Sequence, residues 1–365
     1  MTEKGQSARL AGSNTKAKRR TPGSLGYRWP AEWERHCATW LSWPHNRASW
    51  PGVFEHVEPV IAGMVAALTS GELVHVNVLD PEQERRVRRL LAASGADLSR
   101  VEFYTFPTND AWCRDHGAIF VVRPRERGNP LAAVDCGFNA WGGKYPPFDL
   151  DDAIPRRMAS ALGVPRFDAG MILEGGSIDG NGDGTILTTE QCLLNPNRNP
   201  AMSRSDIETR LGELFGARKV LWLGEGIAGD DTDGHVDDLT RFVSRDTVVT
   251  VVESDVRDIN FEPLRQNLAR LQSMTLADGE PLRVLELPMP APIFHDGQRL
   301  PASYANFYIA NAVVLLPAFD DPADEPAAEI LRACFSDRRV VTIDCRKLTV
   351  GLGAFHCLTQ QVPKA

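Results

Sequence analysis

Between successive helical patterns this chain carries two or three short apolar runs rather than one, and that rhythm limits its folds more than any other feature. Helical spacing appears at Val53, Val57, Val60, Ile61, Met64, Val65 and Leu68, with Gly71 as a stop signal. Further helical patterns lie at 81–93 and near 152–162, 203–216, 260–273 and 326–335. Strand-like runs occupy 73–78, 101–106, 119–122, 131–134, 185–187, 220–223, 248–252, 282–287, 313–316 and 340–343. A doubly wound sheet alternates one strand with one helix and does not produce this order. Several strands per helix, returning about every 70 residues, predict an α/β architecture of repeated small sheets. Each sheet would carry one covering helix, and the set would be arranged radially as in a propeller. No linker rich in Gly, Pro or Ser breaks the chain after residue 27, so 27–365 reads as one domain.

Residues 1–26 are rich in Ser, Gly, Thr, Lys and Arg and offer little to bury, which predicts a disordered basic tail. No apolar stretch follows Arg19 and Arg20, so neither a secretory nor a twin-arginine signal is supported, and a cytoplasmic location is expected. Forty basic residues against 48 acidic ones leave a formal charge of -8, which gives no footprint for nucleic acid. The apolar runs fall far short of the roughly 18 residues of a membrane span. The seven cysteines are scattered, with no C-x-x-C pair. That distribution argues against a disulfide framework and against a tetrahedral zinc site, and favours free thiols in a reducing compartment.

Two motif matches fail on context. Asp179, Asn181, Asp183, Gly184 and Glu190 satisfy a calcium-loop pattern, but the paired glycines upstream and Pro196 and Pro200 downstream disfavour the flanking helices it needs. A glycine-rich hairpin turn accounts for the segment better. Gly224, Gly226 and Gly229 match G-x-G-x-x-G after a strand, yet the run from Asp230 to Asp233 is a poor helix start and repels phosphate.

Chemistry concentrates in four clusters: 108–117, 173–177, 229–238 and 351–361. Taken singly, carboxylates beside glycines form turns and a lone cysteine packs in a core. Together they suggest a reaction. If His235-Val236-Asp237 is extended, its first and third side chains stand on one face. Cys357 follows Gly351 and Gly353, whose missing side chains would let a substrate approach the backbone. A thiol, an imidazole and several carboxylates suit an electrophile that is itself a cation, and a planar guanidinium pairs bidentately with carboxylates. Negative neighbours raise a thiol pKa, and a bound cation reverses the effect, so the substrate would help ionise its nucleophile. A competing account reads Asp230, Asp231, Asp233, His235, Asp237 and Asp238 as oxygen-rich ligands of magnesium or calcium, which leaves Cys357 without a role.

The motifs then become specific. Pro30-Ala31-Glu32-Trp33, Trp43-Pro44-His45-Asn46, Asn109 to Trp112 with Arg114 and Asp115, and Phe138 to Pro146 are followed by Leu173 to Ser177 and Thr188 to Arg198. Gly229 to Asp238, Ala302 to Asn306 and Gly353 to Cys357 complete the series. From about residue 26 to 363 the chain resembles the agmatine deiminase and bacterial-type peptidylarginine deiminase family. The resemblance implies a five-bladed α/β propeller of the pentein type, a single domain with a central active site and no metal or organic cofactor. It implies that Cys357 attacks the guanidinium carbon to form a covalent amidino-cysteine, while His235 protonates departing ammonia and then activates water. Asp115 and Asp237 would grip the guanidinium nitrogens and Glu174 would orient His235. Trp112, Trp141 and Gly353 would line the rest of the substrate site. Arg114 and His356 read as structural neighbours.

Agmatine is the small guanidino substrate so implied, hydrolysed at a C–N bond to N-carbamoylputrescine and ammonia. A deiminase of peptidyl or free arginine and an amidinotransferase use the same thiol and stay open, with a non-enzymatic calcium-binding protein last. No nucleic acid or membrane partner is expected, and a homo-oligomer is compatible with the sequence. Cys136 and Ala118 depart from residues common in the family (tryptophan and proline), and Cys136 is expected to bear on the pocket's shape.

Overall fold

A computed structural model of the chain describes residues 20–365. Positions 1–19 of the expected tail lie outside the described residues. Order begins before Tyr27: Gly23–Leu25 form a 3-10 turn closed by Gly26 at φ 80°, and Thr21 is buried. Local chemistry accounts for this early start. Ser24 Oγ donates to the Thr21 carbonyl at 2.8 Å, and a Cβ at Gly23 would lie 2.6 Å from the Gly212 carbonyl oxygen, so the turn presses directly on a helix.

Five small sheets follow one plan among the described residues. In four of them an antiparallel pair leads through a helix to a third, parallel strand. Ile119–Val122 and Leu131–Gly137 are joined by Arg166–Ile172; Ile178–Gly180 and Thr185–Thr189 by Lys219–Leu223. Thr240–Phe242 and Thr247–Val252 are joined by Arg283–Pro288, and Tyr308–Ile309 and Val313–Ala318 by Arg339–Asp344. The remaining sheet is assembled from both ends of the described chain. Thr359–Pro363 runs antiparallel to His36–Ser42, which continues through two parallel neighbours, Leu73–Val78 and Val101–Thr105. A two-stranded hairpin, Phe294–His295 with Gln298–Arg299, stands apart from these sheets.

The helices form where the pattern placed them because their ends are capped. Asp80 accepts from the N–H groups of Glu82 and Gln83, both at 2.8 Å, ahead of Pro81 at the start of Pro81–Ala93. Ser203 and Asp206 make a reciprocal capping box at Arg204–Phe215, and Gly216 ends that helix at φ 72°. Phe54–Leu68 buries Phe54, Val57, Ile61, Met64, Val65 and Leu68 along one stripe. The segment with the calcium-loop spacing is the turn of an antiparallel hairpin, with Asn181 Oδ1 accepting from the N–H groups of Asp183 and Thr185. No helix opens at Gly224–Gly229.

The architecture is therefore a mixed α/β single domain whose largest apolar cluster includes Trp43, Trp50, Trp112 and Cys357. Among the described residues no helix is long and apolar enough to cross a membrane.

Candidate active site

Each antiparallel edge strand is preceded by a short turn, and these turns hold the reactive side chains. Asp115 lies in Cys113–His116 ahead of Ile119–Val122, and Glu174 and Gly176 lie at the turn ahead of Ile178–Gly180. His235 and Asp237 precede Thr240–Phe242, Asn306 precedes Tyr308–Ile309, and Cys357 sits in Phe355–Leu358 ahead of Thr359–Pro363. Five sheets thus contribute one corner each to a single site.

Cys357 is held from two sides. Asn306 Nδ2 donates to its sulfur at 3.0 Å, and Asn306 Oδ1 accepts from the N–H groups of Ala354, His356 and Cys357. Asp237 Oδ2 lies 3.7 Å from the sulfur. Asp237 and Asp238 come together with Cys357 within 4.8 Å. Burial, followed by the charges of Asp237, Asp238 and Asp115, raises the Cys357 thiol well above its ordinary value. In the free protein this sulfur is a thiol, not a thiolate.

His235 stands opposite, with Nδ1 3.9 Å from both Asp115 Oδ1 and Asp237 Oδ1. The two side chains of His235-Val236-Asp237 do converge, but not as a strand: Val236–Asp238 is a 3-10 turn with His235 as its cap. Burial alone would lower the His235 pKa, yet Asp115, Cys192 and Asp237 hold it well above its ordinary value. Asp115 is oriented by two donors, the Gly176 N–H at 2.9 Å and Trp141 Nε1 at 3.0 Å. Burial and the carboxylates of Asp237 and Glu174 outweigh His235, so the Asp115 carboxyl is pushed up to about 6. Glu174 is fully buried, with Oε1 accepting from Arg198 Nε at 2.9 Å. Its other oxygen has no partner and no hydrogen bond joins it to His235, although the two residues and Cys192 come within 4.8 Å.

A cavity of about 360 Å³ is lined by the buried Cys357, Asp115, Trp112 and Trp141, by the partly buried Asp110 and Asp231, and by Asp296 at an exposed rim. The Phe294–His295 and Gln298–Arg299 hairpin supplies that rim, and Trp141 is held at φ 55°, a strained value for a bulky residue. Gly353 does not leave its space to a ligand. A Cβ there would lie 2.7 Å from the Trp112 ring and 3.0 Å from Cys357 Cβ, so the absent side chain admits the tryptophan. Cys136 is buried in a separate apolar cluster and is not among the residues lining the cavity, which corrects the expected influence on its walls.

Within the acidic run Asp237 and Asp238 come together with Cys357, while the other carboxylates have partners elsewhere. Asp230 accepts from the N–H groups of Thr232, Gly234 and His235, Asp231 meets Tyr145, and Asp233 pairs with Lys144 and Arg198. Gly176 and Asn306 escaped the sequence reading, and His356 reads there as a structural neighbour. Gly176, Asn306 and His356 touch the reactive groups, the last with Nδ1 2.6 Å from Asp237 Oδ2. Gly176 and Asn306 stood inside quoted motifs, and His356 adjoins Cys357, but only distances reveal what they do.

A family model described as Porphyromonas-type peptidyl-arginine deiminase matches residues 28–363. The agmatine deiminase of Ectopseudomonas mendocina is 36% identical over 366 residues, covering 94% of this chain and 97% of the relative. The solved structure of the Enterococcus faecalis agmatine deiminase, described as catalysing its reaction, superimposes with a TM-score of 0.87 at 32% identity, over 98% of this chain and 100% of the other. A cysteine-to-serine variant of the C. jejuni agmatine deiminase with substrate bound gives 0.83 at 32% identity, over 93% and 96% of the two chains.

Proposed function

The chain belongs to the Porphyromonas-type peptidyl-arginine deiminase family, and from that premise we propose that it hydrolyses agmatine to N-carbamoylputrescine and ammonia. The observation that carries this reading is an acidic cavity with apolar walls. The buried Asp115 and Cys357 line it with Trp112 and Trp141, as do the partly buried Asp110 and Asp231 and the exposed Asp296, and no Lys or Arg is among the described residues that line it. Agmatine is a guanidinium and a primary ammonium joined by an apolar butyl chain, which matches carboxylates and tryptophans in one cavity. Free arginine would bring its α-carboxylate among those acids and meet like charge.

Asp115 and Asp237 pair with the guanidinium nitrogens, and the arriving cation offsets the carboxylates that keep Cys357 protonated. The thiol proton passes to solvent, where it later converts the released ammonia to ammonium; the thiolate adds to the central carbon, His235 protonates one nitrogen, and ammonia leaves as the carbon–nitrogen bond breaks. The now neutral imidazole takes a proton from water as its oxygen attacks the amidino-cysteine. Loss of the sulfur gives the ureido product and restores the thiol. Glu174, buried beside His235, stabilises its protonated form. Every proton in this scheme moves between side chains, substrate and water. Residues 27–365 act as one catalytic unit, and the five sheets stand around the site as blades, which explains why each contributes a turn to it.

With purified protein, ammonia release and a ureido product are expected from agmatine, with kcat/KM exceeding that for arginine or a peptidyl-arginine by at least about 100-fold. Comparable turnover of arginine, or transfer of the amidino group to an added amine, would overturn the assignment. The pH profile gives a second expectation. Asp115 must be ionised to pair with the substrate, and its carboxyl titrates at about 6 in the free protein. The kcat/KM profile should therefore fall below about pH 6, and the corresponding limb of kcat should lie lower because bound guanidinium favours the carboxylate. A profile for kcat/KM that is level from pH 5 to 8 would contradict this.

A further inference from the structure

Glu32, Arg114 and His356 have no part in that scheme, yet they are bonded to it. His356 Nδ1 faces Asp237 Oδ2 at 2.6 Å, and its Nε2 faces Glu32 Oε2 at 2.9 Å. Glu32 accepts in turn from Arg241 Nη2 at 2.9 Å, from the Ile309 N–H at 2.8 Å and from Arg114 Nη2 at 3.3 Å. Glu32, His356 and Asp237 are 8%, 2% and 0% exposed, so their charges persist only if paired. Although burial opposes ionisation of both carboxyls, Arg241 and His356 hold Glu32 well below the usual range, and His356 with His235 holds Asp237 below it. An ionised carboxylate only accepts hydrogen bonds. Both ring nitrogens of His356 therefore face carboxylate oxygens, and the ring is fixed between the two side chains.

We propose that Glu32 and His356 are positioning residues for the deiminase reaction: the Arg241–Glu32–His356 chain grips Asp237 by Oδ2 and leaves Oδ1 free to meet the guanidinium. Asp237 Oδ1 is buried and has no partner of its own, and it points to within 3.9 Å of His235 Nδ1. The chain gives a task to the Pro30–Trp33 motif, which is not among the residues that line the cavity. This inference rests on the reading of the site as a guanidine hydrolase.

Three variants test the chain. His356→Asn keeps an amide donor at the Nδ1 position toward Asp237, His356→Gln moves the amide donor to the Nε2 position toward Glu32, and Glu32→Gln keeps an acceptor for the ring while removing its anion. Misplacing a substrate-binding carboxylate by an ångström costs on the order of 100-fold. His356→Gln should therefore lose about 100-fold in kcat/KM, mainly through KM, and the other two about 10-fold. Besides His356, Asp237 is faced by His235, Asp115, Cys357, Asp238 and Arg241. Loss of that grip lets the Asp237 pKa rise from below its ordinary value, so a second protonation beside that of Asp115 should steepen the acid limb of kcat/KM in all three variants, which a merely structural defect would not cause.

Nitrogen-15 spectra of histidine-labelled protein test the chain without turnover. Both ring nitrogens of His356 should show hydrogen bonds to carboxylate oxygens in the wild type, and the Nε2 signal should shift in Glu32→Gln. Should Glu32→Gln not fold, His356→Asn carries the kinetic test alone. Folded variants with wild-type KM and an unchanged acid limb, or a His356 whose Nδ1 makes no hydrogen bond, would overturn the proposal. A wild-type protein that releases no ammonia from agmatine would instead defeat the functional reading, and the hydrogen bonds of His356 would still show whether the chain exists.

Discussion

Replacing Cys357 by serine is expected to lower kcat for agmatine by roughly 10⁴- to 10⁶-fold, the loss typical of removing a covalent nucleophile. The fold should survive, because serine fills the same space and can still accept from Asn306, which now holds the sulfur at 3.0 Å. The argument depends on the carbon–sulfur bond and not on charge. A serine hydroxyl beside Asp237 and Asp238 would be harder to ionise than the thiol already is. Two measurements check the assignment. Intact-mass spectrometry of the wild type during turnover should find the amidino adduct, localised to Cys357 by peptide mapping. Alkylation of the free protein at neutral pH should be slow at this residue, since burial and three carboxylates raise its thiol. A guanidinium ligand that is not turned over should accelerate attack by a small alkylating agent, unless it physically blocks access. Retention of even a hundredth of wild-type kcat in the serine variant would leave the proposed mechanism without its central step.

Gly176→Ala should be the most damaging of the mutations that remove no functional group. A Cβ at this position would stand 2.7 Å from His235 Nδ1, 2.9 Å from Asp115 Oδ1 and 3.0 Å from Asp237 Oδ2. Three reactive groups share that space, so a methyl there forces them apart and blocks the approach of planar guanidinium nitrogens. Reacting groups displaced by about an ångström lose on the order of 100-fold, and here three are displaced together. We expect kcat/KM to fall at least that far while the thermal midpoint changes by only a few degrees. The comparison with Gly175→Ala sharpens the test. Its Cβ would meet the Arg114 carbonyl at 2.3 Å, which is backbone and cannot step aside, so that variant should lose stability as well as activity. A Gly176→Ala enzyme with ordinary kinetics would mean that this space is not where the substrate's head group binds.

The helices were legible from their helical patterns, and at 81–93 and 203–216 the structure adds the caps that fix the ends, Asp80, Pro81, Ser203 and Gly216. Strands dense in β-branched residues, such as Thr247–Val252, were equally plain. Other strands were not. Tyr308–Ile309 and Thr240–Phe242 are too short to show a period, and the parallel strand Arg166–Ile172 carries Arg, Asp and Gly in an exposed edge position. The first two follow reactive turns, so the site's clusters could be recognised by composition while their common origin could not. His235 and Asp237 were paired correctly for the wrong geometrical reason. Glu32 and His356 are separated by 324 positions and joined at 2.9 Å, a relation no local pattern encodes.

The pairing of Thr359–Pro363 with His36–Ser42 has a consequence for biosynthesis. The nucleophile is carried on the stretch that must travel back to the earliest strand, so a nascent chain can complete four sheets and remain chemically silent. Catalytic competence appears only when this final clasp shuts and brings Cys357 against Asn306 and Asp237.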